Sequence, residues 1–354
     1  MTTDIFGKKG NRILVISVQG IGNNLMFQPT IRALHRTFPD TPIDILCAPN
    51  GSDQILRNDP NVNGVIICES FIKTVIHLKR NKYDVAITAY PSGLRSALLS
   101  LFSGARIRVG HNTRLLRGIG AVFYTHLVKE DQGIHDVDQN FNIIKLFGNI
   151  REYDRPYSLI IFERDFDQAK EALLKEGVAD KEEYIIFHPG SNTKHLSKRW
   201  NVENYMQLAK RITSSIKVKV VVVGNKNEIS LGKEIFSANS RNVINMARKL
   251  TLMQTAVLIK MSKLFIGNDS GLMHIAAAVR TPVVAIFGPT DHKEIGPIGE
   301  KCLIISKSLK CQPCYTRDRL DMNSCKNKTR YECMKSISVE DVLCAIESQM
   351  GIAG

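Results

Sequence analysis

The densest chemistry in the chain lies in the run Gly267-Asn268-Asp269-Ser270-Gly271-Leu272-Met273-His274, followed by Gly288-Pro289-Thr290-Asp291. It reads as a strand ending in a small polar turn that opens an alanine-rich helix. The first N–H groups of a helix have no partner inside it, and the helix dipole favours an anion there. Ser270 and Gly271 are small enough to let a phosphate approach the backbone. His274 falls about one turn into the helix. It reads either as a satisfied core histidine or as a side chain that orders the turn. A second constellation is His188-Pro189-Gly190-Ser191, with Lys198-Arg199-Trp200 after it. Ser191 and Lys198 suit diphosphate oxygens, although the stretch also reads as a surface loop leading into a helix. Trp200, the single tryptophan, reads as a packing anchor. A third is Gln19-Gly20-Ile21-Gly22-Asn23-Asn24, which follows the first strand. Position 25 is leucine where the dinucleotide fingerprint needs a third glycine, which argues against a nicotinamide-dependent oxidoreductase.

The chain carries a formal charge of +14, unevenly placed. No Asp or Glu occurs from Val85 to Val128, yet Arg95, Arg106, Arg108, Arg114 and Arg117 all fall there. They form either a solvated basic face or a surface that grips a phosphorylated acceptor, for which the guanidinium fork is suited. No nucleic-acid-binding module accompanies the charge. Cys47, Cys68, Cys302 and Cys344 sit in apolar segments and are expected in the core. Cys311, Cys314, Cys325 and Cys333 share a lysine-rich loop. They read either as a structural four-thiolate zinc site or as free thiols.

The elements that would position these residues alternate between short apolar runs and amphipathic stretches. Strands are expected at Arg12–Val18, Ile43–Ala48, Val65–Cys68 and Val85–Thr88, and helices at Asn24–Phe38 and His135–Phe147. A charged stretch from Arg151 to Glu183, with a helix near Phe166–Lys175, reads as the connection to a second domain. The rhythm then restarts with strands at Tyr184–His188, Val218–Val223, Leu264–Gly267 and Val283–Phe287. Helices are expected at Val202–Ile212, Leu252–Met261 and Leu272–Val279. Repeated βαβ units predict parallel sheets with helices on both faces, and ligands bound outside the carboxyl ends of their strands. With 354 residues, 44% of them hydrophobic, two domains are expected. No run approaches a membrane span or a secretory leader, so a cytoplasmic protein is expected.

The run GNDSGLMHIAAAVRTPVVAIFGPTD resembles the donor-binding signature of the ADP-heptose:lipopolysaccharide heptosyltransferases, glycosyltransferase family 9. ILVISVQGIGNNLMFQPTIRALHRTFP and HPGSNTKHLSKRW are similar to two further motifs of that family. His135-Asp136-Val137, Cys311-Gln312-Pro313-Cys314-Tyr315 and Cys333-Met334 also recur in its members. The resemblance spans nearly the whole chain. It implies a GT-B fold, two Rossmann-like doubly wound domains facing across a cleft. The acceptor-binding domain would occupy residues 1–160 and the donor-binding domain 161–335, with 336–354 a helix returning towards the first. It implies inverting transfer from a nucleotide sugar, ADP-heptose, to a phosphorylated glycolipid at the cytoplasmic face of the inner membrane, with no required cofactor. Lys198 would contact donor phosphate and Asp269 the sugar. Ser270, Gly271 and Leu272 would offer backbone amides, and Glu228 would meet the ribose. Where many members carry a catalytic aspartate, this chain has Asn23, and an amide cannot take a proton from a hydroxyl. Asp136, His111 and Asp291 are the other candidate bases. A nucleotide-sugar-binding protein without turnover and a nucleotide-sugar epimerase are the competing readings.

Overall fold

The computed structural model describes residues 11–352 apart from 114, 115, 117, 118, 149, 151–153, 193, 194 and 315–324. The chain divides into two compact units, Met1–Ile160 and Ile161–Gly354.

The first unit holds β1 (Ile13–Ser17), α1 (Ile21–Thr37), β2 (Ile43–Cys47), α2 (Ser52–Leu56), β3 (Gly64–Ile67) and α3 (Phe71–Asn81). It continues with β4 (Val85–Thr88), α4 (Leu94–Phe102), β5 (Ile107–Asn112), β6 (His126–Lys129) and α5 (Asp136–Ile144). Its six strands are parallel in the order β3-β2-β1-β4-β5-β6. Strand side chains alternate between faces. Accordingly Ile13, Val15, Ile43 and Ile45 pack with α1 and α5, while Leu14, Ile16 and Leu46 pack with α3 and α4. Burial on both faces is why β1 and β2 read as continuous apolar runs.

The second unit repeats the plan with α6 (Glu163–Lys175), β7 (Tyr184–His188), α7 (Val202–Arg211), β8 (Lys219–Val222), α8 (Ile229–Ala238), β9 (Val243–Asn245) and α9 (Leu252–Met261). It ends with β10 (Leu264–Asn268), α10 (Gly271–Ala278), β11 (Val283–Ile286), α11 (His292–Ile295), β12 (Cys302–Ile305), α12 (Glu332–Lys335) and α13 (Val339–Met350). The strand order is β12-β11-β10-β7-β8-β9, all parallel. In each sheet the order reverses once, between β1 and β4 and between β7 and β10. This is the doubly wound order, and the reversal is where such sheets bind ligands.

Sequence patterning did not mark β5, β6, β9 or β12. Three of them are sheet edges: β6 is largely exposed, β9 spans three residues and β12 is only half-buried. Such strands carry little periodic signal. The last helix, α13, packs on the second unit. Val339, Val342, Leu343, Ala345 and Ile346 of α13 join the second unit's core with Ile266, Val284 and Ile286. That apolar face needs a partner, and its own sheet supplies one. The stretch expected as a connection contains α6, which packs on α9. Capping boxes at Thr251/Gln254 and Ser338/Asp341 set the starts of α9 and α13. Of the cysteines expected in the core, Cys47 and Cys68 are buried, Cys302 is half-buried and Cys344 is exposed.

Candidate functional site

In the second unit the sequence constellations meet at the carboxyl ends of β7 and β10, where the strand order reverses. Asn268, the last residue of β10, is fully buried and uses its whole amide. Its Nδ2 donates to the carbonyls of Pro189 at 2.8 Å and Gly190 at 3.2 Å. Its Oδ1 accepts from the Trp200 N–H at 3.0 Å and the Tyr205 hydroxyl at 3.3 Å. One side chain therefore ties the turn after β7 to the segment carrying Lys198. Trp200 is buried and donates its indole N–H to the Ile337 carbonyl at 2.9 Å, a packing anchor as expected.

The next residue, Asp269, accepts from Lys198 Nζ at 2.6 Å and from the Thr290 hydroxyl at 2.8 Å, both on Oδ2. The pair is largely withdrawn from water, with side-chain exposures of 13% for Lys198 and 7% for Asp269. The sequence reading gave the two residues separate tasks, but the fold makes them one unit. A carboxylate thus sets the position of the ammonium, and Thr290 sets the carboxylate.

Ser270 is the N-cap of α10, yet its side chain does not cap the helix. Its hydroxyl shares a 3.0 Å hydrogen bond with His188 Nδ1 instead. No acidic residue occupies the first turn of α10. The amides of Gly271 and Leu272 thus head a helix that no side chain caps, an anion-binding arrangement. His274 is buried within this helix.

Glu228 is buried at the start of α8. It accepts from the Asn225 N–H at 2.6 Å, closing a capping box, and lies 3.7 Å from the Arg199 guanidinium. A Cβ on Gly190 would fall 2.5 Å from the Glu228 carboxyl carbon, and one on Gly224 would fall 2.8 Å from its Cβ. Both glycines are what let Glu228 reach this position. Burial raises its carboxyl above the ordinary value, against the pull of Arg199 and the Asn225 amide. Arg199 also donates to the Ser191 hydroxyl and carbonyl, each at 3.2 Å. Arg199, Thr290 and Asn268 were not assigned tasks from sequence. Their signal was position alone, inside the motif runs, because an amide or hydroxyl near a strand end does not reveal its partners.

Burial, and secondarily the Arg199 charge, lowers His188 to about 3. Its neutral form is therefore the folded form. The unfolded chain takes up a proton below about pH 6.5 and the folded one does not. Stability from this group is complete above pH 6.5 and declines by about 1.4 kcal/mol per pH unit on acidification towards the folded value. Thermal melts from pH 7 to 4 are expected to show this slope, and His188→Gln to flatten it. Parallel pH dependences in the two proteins would contradict the assignment.

The first unit has the corresponding reversal between β1 and β4. Gln19 Nε2 reaches across it to the carbonyls of Ala89 and Pro91. Asn24 ties Gly20 to Ser52, with both hydrogen bonds at 3.1 Å. Asn23 lies in the first turn of α1, half-buried, and its side chain makes no hydrogen bond among the described residues.

Of the other candidate bases, His111 and Asp291 have partners of their own. His111 is fully buried with Nε2 2.9 Å from the Gln139 carbonyl and its ring edge-on to Tyr90, a structural role. Asp291 caps α11 by accepting from the Lys293 N–H at 2.9 Å. Asp136 is buried in the first turn of α5, beside the N-cap His135, whose Nδ1 accepts from the Val137 N–H.

The three described arginines of this set, Arg95, Arg106 and Arg108, do not share one edge of the sheet. Arg95 begins α4, at the carboxyl edge of the sheet, whereas Arg106 precedes β5, at the amino edge. Arg108 is spent on the carbonyls of Phe123 at 2.7 Å and Ala105 at 2.9 Å. Arg114 and Arg117 lie outside the described residues. A run of charge along the sequence passes from one edge of a parallel sheet to the other as the helix between two strands crosses it.

The four-thiolate reading also meets a geometric test. Cys311, Cys314, Cys325 and Cys333 are free thiols, and Cys314 Sγ lies 2.9 Å from the Cys311 carbonyl oxygen. Burial and the three neighbouring thiols raise Cys333 to about 11, which keeps it protonated at neutral pH. Among the described residues no group of three or more His, Cys, Asp or Glu side chains is set to hold a metal ion.

Three comparisons place this geometry. The family model described as glycosyltransferase family 9 (heptosyltransferase) matches residues 72–323. The lipopolysaccharide heptosyltransferase 2 of Salmonella typhimurium is 27% identical over 310 residues, covering 83% of this chain and 87% of that protein. The lipopolysaccharide heptosyltransferase 3 of Escherichia coli is 27% identical over 343 residues, covering 92% and 94%. Among solved structures, the E. coli ADP-heptose lps heptosyltransferase II superposes with a TM-score of 0.77 at 24% identity, covering 96% of this chain and 98% of that one. The two doubly wound sheets are those of the GT-B fold.

Proposed function

Because the chain belongs to glycosyltransferase family 9, we propose that it moves heptose from ADP-heptose to a lipopolysaccharide core or similar phosphorylated glycolipid, with inversion at the anomeric carbon. The observation that carries the donor side is the Lys198–Asp269 pair beside the N-terminus of α10, which no side chain caps. A nucleoside diphosphate is the ligand such a site suits. Lys198 supplies a positive charge already oriented by Asp269, and the α10 amides supply hydrogen-bond donors. Both act on the negative charge that grows on the departing diphosphate, so they stabilise the transition state more than the ground state. Glu228, with its carboxyl held by Asn225 and Arg199, is placed to accept from ribose hydroxyls. Asp269 keeps one oxygen, Oδ1, for a sugar hydroxyl while Oδ2 holds Lys198 and Thr290.

The acceptor is assigned to the first unit, where Asn23 stands in the first turn of α1. The transfer would need no metal or organic cofactor, since the leaving group is already matched by Lys198 and the amides. The protein would work at the cytoplasmic face of a membrane; no described helix is long and apolar enough to cross one.

The test is release of ADP from ADP-heptose with and without a heptose-deficient core acceptor. Acceptor-dependent release supports transfer. Consumption of donor without acceptor supports the epimerase reading, and tight binding with no turnover supports a silent binding protein. In the same assay Asn23→Asp is expected to raise kcat by about 100-fold, the low end of what a positioned general base contributes. The helix dipole would keep that carboxylate ionised at neutral pH. An unchanged or lower kcat would show that proton removal does not occur at this position.

A further inference from the structure

The first unit leaves an apolar surface uncovered. On α3, Ile72 and Ile76 are 72% and 48% exposed. On α4, Leu94 is 52% exposed, and Phe102 is the next large apolar side chain left in water. Residues four apart share a helix face. Ile72 with Ile76, and Leu94 with Leu98 and Phe102, therefore form one outward stripe on each helix. The stripes are joined where Phe102 packs edge-on against Phe71, with ring centroids 6.0 Å apart. The short turn Ala121–Phe123 packs beside α4 and adds Val122 at 72% exposure, with Ile119 just before it at 79%. A single exposed isoleucine is ordinary, but a contiguous apolar surface of this kind marks an interaction site.

The charge around the surface says what covers it. Lys73, Lys79 and Arg80 of α3 are exposed, and Arg95 is exposed at the start of α4. Between Asp59 and Asp84 the only acidic residue is Glu69, and none occurs from Val85 to Val128. Apolar side chains surrounded by basic ones, with almost no acid, suit a bilayer interface carrying anionic headgroups. The apolar groups enter the headgroup–acyl boundary while the cations stay with the phosphates. A protein partner would leave these cations in search of matching carboxylates, and this chain offers too few nearby for a second copy to supply them.

We propose that the outer face of α3 and α4, with the Ile119–Val122 turn, docks the protein on an anionic membrane surface. This deepens the glycolipid-acceptor reading, on which its purpose rests. It is tested without donor or acceptor, so either can fail alone.

The experiment is co-sedimentation of the full chain with vesicles of phosphatidylcholine, and with vesicles of phosphatidylcholine and phosphatidylglycerol. Binding is expected to the second and to fall on adding salt. Ile72→Ser/Ile76→Ser/Val122→Ser is expected to lower that binding by about tenfold or more, since each apolar side chain removed forfeits interfacial burial. Lys73→Glu/Arg80→Glu is expected to lower it similarly while leaving the apolar surface intact. All five positions are exposed, so melting temperatures should stay near that of the parent. Unaltered binding in both variants, or none by the parent to anionic vesicles, would overturn the proposal. So would a dimer in solution that the triple substitution dissolves, since the face would then be an interface between copies.

Discussion

Lys198→Ala is expected to weaken binding of ADP-heptose by about 100-fold, equivalent to about 2.7 kcal/mol. The ammonium is 13% exposed and held at 2.6 Å from Asp269, so it acts from a site partly shielded from solvent. A charge in that setting interacts with a diphosphate more strongly than a surface lysine would. The substitution has a second consequence. It leaves the Asp269 carboxylate, 7% exposed, with Thr290 as the remaining partner that its Oδ2 shows. Losing one partner of a withdrawn ion pair is costly, and roughly 3 kcal/mol of stability should go with it. The two effects separate in Lys198→Ala/Asp269→Asn. Removing the stranded charge should restore much of the stability and none of the donor affinity. Calorimetric titration with ADP-heptose and denaturant unfolding of the three proteins read both quantities. Full affinity in Lys198→Ala would end its assignment to the diphosphate. Recovery of affinity along with stability in the double variant would make the lysine a purely structural residue.

Asn268→Ala should cost roughly 3–4 kcal/mol of stability, chiefly because it leaves buried backbone groups unpaired. The Pro189 and Gly190 carbonyls and the Trp200 N–H all depend on this one amide, at 2.8, 3.2 and 3.0 Å. A cavity at a fully buried position adds to the loss. Expressed as a melting temperature, the fall should be about 10 °C for a unit of this size. Asn268→Asp should be no better, since a carboxylate cannot donate to the two carbonyls and carries a charge into the core. Donor affinity should fall in both variants even where they remain folded, because the turn bearing Ser191 and the segment bearing Lys198 lose their shared anchor. A melting temperature within a degree or two of the parent would show that the surrounding backbone repairs these hydrogen bonds unaided.

The arrangement also explains why Thr290 joins the Lys198–Asp269 pair despite sitting beyond β11, the neighbour of β10. Its hydroxyl donates to the same carboxylate oxygen that holds Lys198. The glycine and proline before it end β11 and bring the chain back over Asp269. The proposed donor site is therefore assembled from three adjacent strand ends, β7, β10 and β11, each contributing one short polar turn.

Much of this was legible in the sequence. Runs such as Ile13–Ser17 and Leu264–Asn268 announce strands buried on both faces, and their alternation with helices is enough to specify parallel sheets. Small polar turns at strand ends locate the site, because local chain chemistry makes helix starts and tight turns. What a side chain touches across tens of residues is not local. The sequence places Lys198 and Asp269 in different motifs 71 residues apart, and only the pairing of β7 with β10 makes them an ion pair. The same pairing decides that Asn268 is a cross-brace. The arginines fail in the opposite sense: close in sequence, Arg95 and Arg106 are carried to opposite edges of the sheet by α4, which separates them. The last helix is settled in the same way. Its amphipathic face demanded burial, but amphipathicity names no partner, and the face of β10–β12 on which it packs supplied one. Sequence determines which segments form and which faces must be buried, since those are properties of neighbouring residues; tertiary structure decides which polar groups meet, since that depends on the order in which strands lie side by side.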